Sequence, residues 1–272
     1  MQILKFDQLD STNNYAKTLI KEGKAKNGDI VYAVAQTAGR GQSTNIWESE
    51  TGKNLTFSLI IQPKHIEPKN QFLISQAVSV GIVKYLKCMG GCKTRPYNIK
   101  WPNDIFVGMK KIAGILIENT IQGNQVLFSV IGVGLNVNQT EFSKNAGNPT
   151  SLSLINKAQY DLETELEELV MLIESELDFL KFDNGKDCQT RYLEHLLFFN
   201  EEREYNVYVG TDCKSAPANP DISAGSMSAP AKKEWRKITG KIIGVNGFGF
   251  LQIQTKTGTI FECDIKEIVY VL

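Results

Sequence analysis

The sequence has little of the chemistry that would direct a protein to nucleic acid, to a membrane or to secretion. Lysine plus arginine and aspartate plus glutamate number 30 each, so no net charge favours a polyanionic partner. No apolar run is long enough to cross a bilayer, which takes about 18 residues or more. The first ten residues lack the basic and then apolar pattern of a signal peptide. We therefore expect a cytoplasmic protein with no nucleic-acid and no membrane partner.

Cysteine and histidine are also scarce. The five cysteines are an odd and scattered set, which favours reduced thiols over a disulfide framework. Cys88 and Cys92 form a close pair, but no second Cys/His pair stands at the spacing of a zinc finger. The two histidines, His65 and His195, have no evident nucleophile beside them, so triad chemistry has little support. The metal ligands, if any, cannot be assigned from the sequence.

The apolar patterns predict an α+β protein in which a mixed β-sheet packs against helices, because strands and helices do not alternate strictly. Gly108 is the expected turn between two of the strands. Strands are predicted near residues 3–6, 29–36, 53–62, 98–101, 104–107, 111–118 and 125–137, and helices over 12–21, from 68 onward, 162–182 and 188–199.

The texture of the sequence changes near residue 200, where a run of short strands begins. These strands, near residues 203–209, 236–245, 248–254, 259–264 and 267–271, predict a small, partly closed β-barrel. We therefore expect a catalytic domain over residues 1–200 and a small C-terminal β-barrel domain over 201–272. Residues 211–234 are rich in alanine, serine and proline and have too few apolar side chains to pack, which predicts a mobile insertion.

The segment Gln36-Thr-Ala-Gly-Arg-Gly-Gln42 places Arg40 between two glycines directly after a predicted buried strand. Glycine lets backbone N–H groups approach a phosphate closely, since it has no β-carbon. The segment is not a P-loop, because the spacing and the Gly-Lys-Ser/Thr ending are absent. Taken alone, it is also compatible with a surface loop that carries one solvated arginine.

A second segment, Lys100-Trp-Pro-Asn-Asp104, is followed seven residues later by Lys111. Lys111 begins a strand of apolar residues, so its ammonium group lies at the edge of a core, where it could hold a carboxylate or a phosphate. The alternative is a lysine at a strand end that reaches water. Asn103 and Asp104 could likewise be ordinary turn residues.

The order and spacing of six segments together resemble biotin protein ligases, over residues 7 to about 138. The small C-terminal barrel is also a feature of that family. The segments are Ser11-Thr-Asn13, residues 36–42, Trp47 with Gly52-Lys-Asn-Leu55, residues 100–104, residues 111–118 and Ile131-Gly-Val-Gly-Leu-Asn136.

The resemblance implies roles for individual residues. Lys111 and Arg40 would be catalytic, and Asp104 would help to position Mg²⁺ or the attacking amine. Where Gln42 stands, many members have a basic residue, so Arg40 and Lys111 must offset more of the phosphate charge here. The biotin-binding residues would be Ser11, Thr12, Asn13, Gln36, Arg40, Gly41, Gln42, Lys111 and Gly114, and the nucleotide-binding residues Gly39, Trp47, Asn103, Asp104 and Asn136.

The implied activity is that of a ligase that uses ATP and Mg²⁺ to activate biotin as biotinyl-5′-adenylate. It would then transfer biotin to a lysine of a biotin carboxyl carrier protein or domain. A related lipoate or octanoate transferase is disfavoured by the polar set of Ser11, Thr12, Asn13 and Gln36. A DNA-binding repressor is disfavoured because the pattern begins at Phe6, which leaves no room for a preceding helix-turn-helix. The oligomeric state is open, with a homodimer as one alternative.

Overall fold

The protein is described by a computed structural model over residues 2–42, 45–89, 96–143, 147–209 and 234–271. Its larger sheet has seven strands in the order β1-β2-β3-β7-β6-β5-β4. β1 and β2 are parallel and the other described pairs are antiparallel, so the predicted mixed sheet is confirmed. The strands are β1 (Gln2–Leu9), β2 (Asp29–Gln36), β3 (Leu55–Ile61), β4 (Tyr97–Lys100), β5 (Asp104–Val107), β6 (Lys110–Gln122) and β7 (Gln125–Leu135).

Helices cover this sheet and its ends. Pro68 was expected to open the second helix, but it opens a single 3-10 turn, Pro68–Asn70, and the helix begins at Phe72. The N–H of Phe72 donates to the carbonyl of Gly247 in the C-terminal region, which fixes where the helix starts. The helices are α1 (Thr12–Lys21), α2 (Phe72–Cys88), α3 (Leu152–Asn156), α4 (Leu162–Asp183) and α5 (Lys186–His195).

Helix α2 lies in the core, with buried residues on nearly all sides, and packs against α4. A β-carbon at Gly81 would lie 2.9 Å from the Cα of Ile173, so glycine permits the close approach of the two helices. Helix α4 begins where the Asp161 carboxylate accepts the N–H of Thr164 at 2.9 Å, an ordinary N-cap. No helix within the described ranges is both long and apolar enough to span a bilayer.

The C-terminal strands form a second, five-stranded antiparallel sheet in the order β11-β10-β9-β8-β12. The predicted barrel is wrong in this respect, because β11 and β12 lie at opposite edges and the described sheet is not closed. The predicted insertion lies outside the described residues, except Glu234, which begins β9. The strands are β8 (Glu202–Val209), β9 (Glu234–Val245), β10 (Leu251–Thr255), β11 (Ile260–Cys263) and β12 (Ile268–Tyr270).

The link between β11 and β12 is short. Residues 264–267 join the two edges through a turn in which the Glu267 N–H donates to the Asp264 carbonyl. Five flat strands would place the edges about 19 Å apart, and a link this short reaches at most about 18 Å. The sheet must therefore curl, although no ladder joins β11 to β12 in the described chain. One hydrophobic core includes buried residues of both sheets, so the domain boundary near residue 200 stays a prediction.

Candidate active site

A cavity of about 320 Å³ lies over the larger sheet and is partly covered by the C-terminal sheet. This volume is in the range of pockets that take a small ligand. Its described walls are formed by residues 11–13, Gln36, 40–42, 45–47, Phe57, 100–104, Lys111, 114–116, 132–134, Ile265 and 268–270.

One end of the cavity is a network of polar side chains from α1, β2 and β3. The Gln36 carboxamide oxygen accepts the backbone N–H of Thr12 at 2.8 Å and lies 3.3 Å from the Thr12 hydroxyl. The Ser58 hydroxyl lies 2.8 Å from the Thr12 hydroxyl and 2.6 Å from the Asn13 carboxamide oxygen. Because the Gln36 oxygen is engaged, its NH₂ group is the part of the amide left to donate to a ligand.

Glu118 on β6 stands behind this polar end and has three partners. It accepts from the Asn13 Nδ2 at 2.9 Å and from the Lys17 ammonium group at 2.9 Å, and the Arg40 guanidinium lies 3.2 Å away. Burial opposes ionisation of Glu118, but the hydrogen bonds from Asn13 and Lys17 and the nearby positive charges outweigh it and hold the pKa of this carboxyl below its usual range. Glu118 is therefore a carboxylate at neutral pH.

Glycines of β6 and β7 make room for two large polar or aromatic groups. A β-carbon at Gly132 would lie 2.3 Å from the Asn13 Oδ1, and one at Gly134 would lie 2.3 Å from the Trp47 ring. Gly114 also faces that ring, since a β-carbon there would lie 3.1 Å from it. Glycine at these positions is thus a requirement of space. The indole N–H of Trp47 is buried and has no hydrogen-bond partner among the described residues.

The other end of the cavity carries charge. The Lys111 ammonium group pairs with the Asp104 carboxylate at 2.7 Å and lies 5.6 Å from the centre of the Trp47 ring. Lys100 also lines the cavity, where its ammonium group lies 5.5 Å from the centre of the Tyr270 ring. This end therefore carries two lysines, whose positive charges can attract an anion.

The turn between β4 and β5 is fixed from two sides. The Asn103 amide donates to the Ile115 carbonyl at 2.5 Å, and the Ile115 N–H donates to the Asn103 carbonyl at 3.0 Å. The Trp101 indole N–H donates to the carbonyl of Gly249 at 2.9 Å. These bonds set the position of Asp104, and the bond from Trp101 ties the turn to the connection between β9 and β10.

The glycine-containing segment after β2 forms a narrow hairpin at the cavity mouth. The Gly41 N–H donates to the Asn45 carbonyl at 2.8 Å, and the Trp47 N–H donates to the Gly39 carbonyl at 3.0 Å. A β-carbon at Gly39 would lie 2.5 Å from the Trp47 carbonyl oxygen, so the hairpin requires glycine there. Ser43 and Thr44 lie outside the described residues.

The structure brings most of the predicted site residues to one cavity. Gly39 and Asn136 do not line it. Asn136 is 4% exposed, its amide donates to the Thr150 carbonyl at 3.0 Å, and its oxygen is buried without a described partner. The lining residues that were predicted are Ser11, Thr12, Asn13, Gln36, Arg40, Gly41, Gln42, Trp47, Asn103, Asp104, Lys111 and Gly114.

Several contributors were not foreseen. Ser58 is fully buried behind Thr12 and Asn13, and its signal was a small hydroxyl residue in a stretch of β3 that is mostly apolar. Ile268 and Tyr270, far along the chain, complete one wall and had no sequence signal. Asp104 is the one acidic side chain among the described lining residues. In the described part of the chain, no group of three His, Cys, Asp or Glu residues could hold a metal ion alone.

Comparison with known proteins agrees with this site. Residues 5–136, which include all the predicted site residues, match the model of the biotin/lipoate A/B protein ligase family. Over these residues, the chain is similar to this family. Within it, the similarity is to biotin protein ligases.

Two curated relatives are bifunctional ligase/repressors named BirA. The one from Bacillus spizizenii is 28% identical over 265 residues, which cover 96% of this chain and 72% of that protein. The one from Escherichia coli is 35% identical over 129 residues, 47% of this chain and 38% of that protein. Among solved structures, a biotin protein ligase from Aquifex aeolicus in complex with biotin and ATP has a TM-score of 0.71 at 24% identity and covers 98% of this chain and 97% of that one. This last likeness concerns the fold.

Proposed function

We propose that the protein attaches biotin to a lysine of a biotin carboxyl carrier protein or domain in two steps that consume ATP. In the first step, a carboxylate oxygen of biotin attacks the α-phosphorus and pyrophosphate leaves, which gives biotinyl-5′-adenylate. In the second step, the carrier amine attacks the acyl carbon and loses a proton, an amide forms, and AMP leaves. The observation that carries the proposal is one cavity with an uncharged polar end and a cationic end.

The polar end suits the ureido ring of biotin. A ureido group offers two N–H donors and one carbonyl acceptor, and the site presents the Asn13 and Thr12 oxygens and the Gln36 NH₂ group. Phe57 and Val133 supply apolar walls for the rest of the ligand. A pocket whose polar groups are matched to a ureido ring disfavours a plain acyl chain, which would leave them unpaired.

The cationic end suits the carboxylate and the phosphoryl group. Lys111 would exchange its bond to Asp104 for a bond to the ligand, and Arg40 would add a second positive charge. Both act on charge that develops during acyl activation, where electrostatic stabilisation is most effective. Gln42 can donate hydrogen bonds but brings no charge, so within residues 36–42 and 111 the positive charge comes from Arg40 and Lys111.

The nucleotide would lie on the side of Trp47 and Asn103. Mg²⁺ in nucleotide sites is held by one or two carboxylates together with substrate phosphates. Asp104 at the cavity wall fits this role, and the ion would neutralise phosphate charge there. Nucleotide contacts by Gly39 and Asn136 stay predictions, since neither residue lines the cavity. A homodimer stays a prediction too.

The test is incubation of the purified protein with labelled biotin, ATP, Mg²⁺ and a biotin carrier domain. We expect ATP-dependent label on the carrier, and no label on a carrier whose acceptor lysine is replaced by arginine. Lipoic acid in place of biotin serves as the control for the related activity. Incorporation of lipoate in preference to biotin, or no incorporation of either, would contradict the proposal.

A further inference from the structure

Glu118 joins two parts of the site, helix α1 and the hairpin. It contacts Asn13 on α1 at 2.9 Å and Arg40 in the hairpin at 3.2 Å, and Lys17 is a third partner. Arg40 also donates to the Asn14 carboxamide oxygen at 2.9 Å. Glu118 itself does not line the cavity, so it can affect a ligand only through the residues that it contacts.

We propose that Glu118 is a positioning residue with two tasks: it orients the Asn13 amide towards the biotin head group, and it retains Arg40 at the biotin end of the cavity until the adenylate forms. This inference rests on the proposed function. It assigns Glu118 no contact with substrate.

The first task follows from the chemistry of a carboxamide. The Asn13 NH₂ group donates to Glu118 and, at 3.2 Å, to the Leu116 carbonyl, so its oxygen must face Ser58 and the polar end of the cavity. If the Asn13 amide were flipped, its oxygen would face the Glu118 carboxylate and the Leu116 carbonyl, which are both acceptors. A group that accepts a hydrogen bond at position 118 is therefore sufficient, and a charge is not needed.

The second task follows from distance along β6. Glu118 and Lys111 are seven residues apart on this one strand, which separates their Cα atoms by roughly 20 Å. Arg40 held at Glu118 is thus remote from an anion held at Lys111, and it must leave Glu118 to reach the phosphate. This task needs the negative charge of Glu118.

The two tasks make Glu118→Gln and Glu118→Ala informative in different ways. Glutamine still accepts from Asn13 but no longer pairs with Arg40, whereas alanine does neither. Two quantities are measured: the affinity for biotin without nucleotide, and the affinity for a non-hydrolysable acyl-sulfamoyl analogue of biotinyl-adenylate. Glu163→Gln is the matched control, because it removes a surface ion pair with Lys5 by the same substitution.

We expect Glu118→Gln to keep the biotin affinity within about twofold of the wild-type value and to tighten analogue binding by about two- to fivefold. Fivefold is about the most that the loss of a partly exposed ion pair can contribute. In an Arg40→Gly background the same substitution should leave analogue binding unchanged. A general structural effect of the substitution would instead change analogue binding with or without Arg40. Glu118→Ala should weaken biotin about tenfold, as expected when an oriented hydrogen-bonding group is released.

Unchanged analogue affinity in Glu118→Gln, or equal tightening with and without Arg40, would overturn the Arg40 task. Wild-type biotin affinity in Glu118→Ala would overturn the Asn13 task. A wild-type protein that binds neither biotin nor the analogue would instead contradict the proposed function, so the two failures are distinct.

Discussion

Replacing Gly132 by alanine tests where the head group of biotin is recognised. The new β-carbon would lie 2.3 Å from the Asn13 Oδ1 and 3.0 Å from its Cγ. Since non-bonded carbon and oxygen atoms rarely approach closer than about 3.0 Å, the amide must move by most of an ångström. It cannot do so without lengthening its bonds to Ser58, at 2.6 Å, or to Glu118, at 2.9 Å.

The expected loss of affinity can be estimated from the hydrogen bond between the Asn13 oxygen and biotin. A buried donor that is left without its partner costs about 1–3 kcal/mol. Displacement of the Asn13 oxygen would leave one ureido N–H unpaired, which gives roughly 2 kcal/mol. Because each 1.4 kcal/mol is about tenfold, biotin affinity should fall about thirtyfold. The fold should remain, since the displaced amide is at a cavity wall.

Calorimetric titration of biotin into the variant measures this directly. Gly244→Ala is the control, because a β-carbon there meets only the flexible Gln252 side-chain oxygen at 3.2 Å, away from the cavity. Biotin binding within twofold of wild type in Gly132→Ala would show that Asn13 does not contact the ligand. The assignment of the polar end to biotin would then be refuted.

Lys111→Ala should abolish most adenylate synthesis and keep the fold, and Lys111→Arg should rescue it poorly because the guanidinium is larger; normal pyrophosphate release would remove Lys111 from the mechanism. Arg40→Gly should speed escape of biotinyl-adenylate, seen by rapid mixing and as indiscriminate labelling of lysines, and equal rates would refute this. Gln42→Arg should slow escape of biotinyl-adenylate by raising its free-energy barrier by about 1–2 kcal/mol, if the added charge faces the phosphate. Glu176→Gln should lower the melting temperature, because this buried carboxylate pairs with Arg191 at 2.6 Å and with Lys84. We expect the free energy of unfolding to fall by roughly 2 kcal/mol, which is less than for a fully buried pair because Arg191 reaches solvent. An unchanged melting curve would contradict this.

Much of the larger sheet was predictable because its patterns are local. β2 matches its predicted bounds, since a run of apolar residues is bounded by Gly28 and by a polar segment. β5 does so too, and Gly108 has the positive φ of 59° that a tight turn there requires. The site segments were identified from their order and spacing along the chain, which resemble those of biotin protein ligases.

Features that depend on distant pairing were not predictable from these patterns. The edges of the C-terminal sheet stay apart because β11 pairs with β10 and β12 with β8, a choice that apolar alternation does not encode. Tyr270 reaches the cavity only because that sheet docks on the turn at Trp101. The side chain of Asn136 lies in the core beside Thr150, which neighbouring residues in sequence do not reveal.

The central claim is that one cavity activates biotin with ATP. Exchange of radiolabelled pyrophosphate into ATP, measured without any carrier protein, tests it most directly because it reports the first step alone. We predict exchange that requires biotin and is lost in Lys111→Ala. Exchange that proceeds equally without biotin, or that is absent with biotin, ATP and Mg²⁺ all present, would contradict the account.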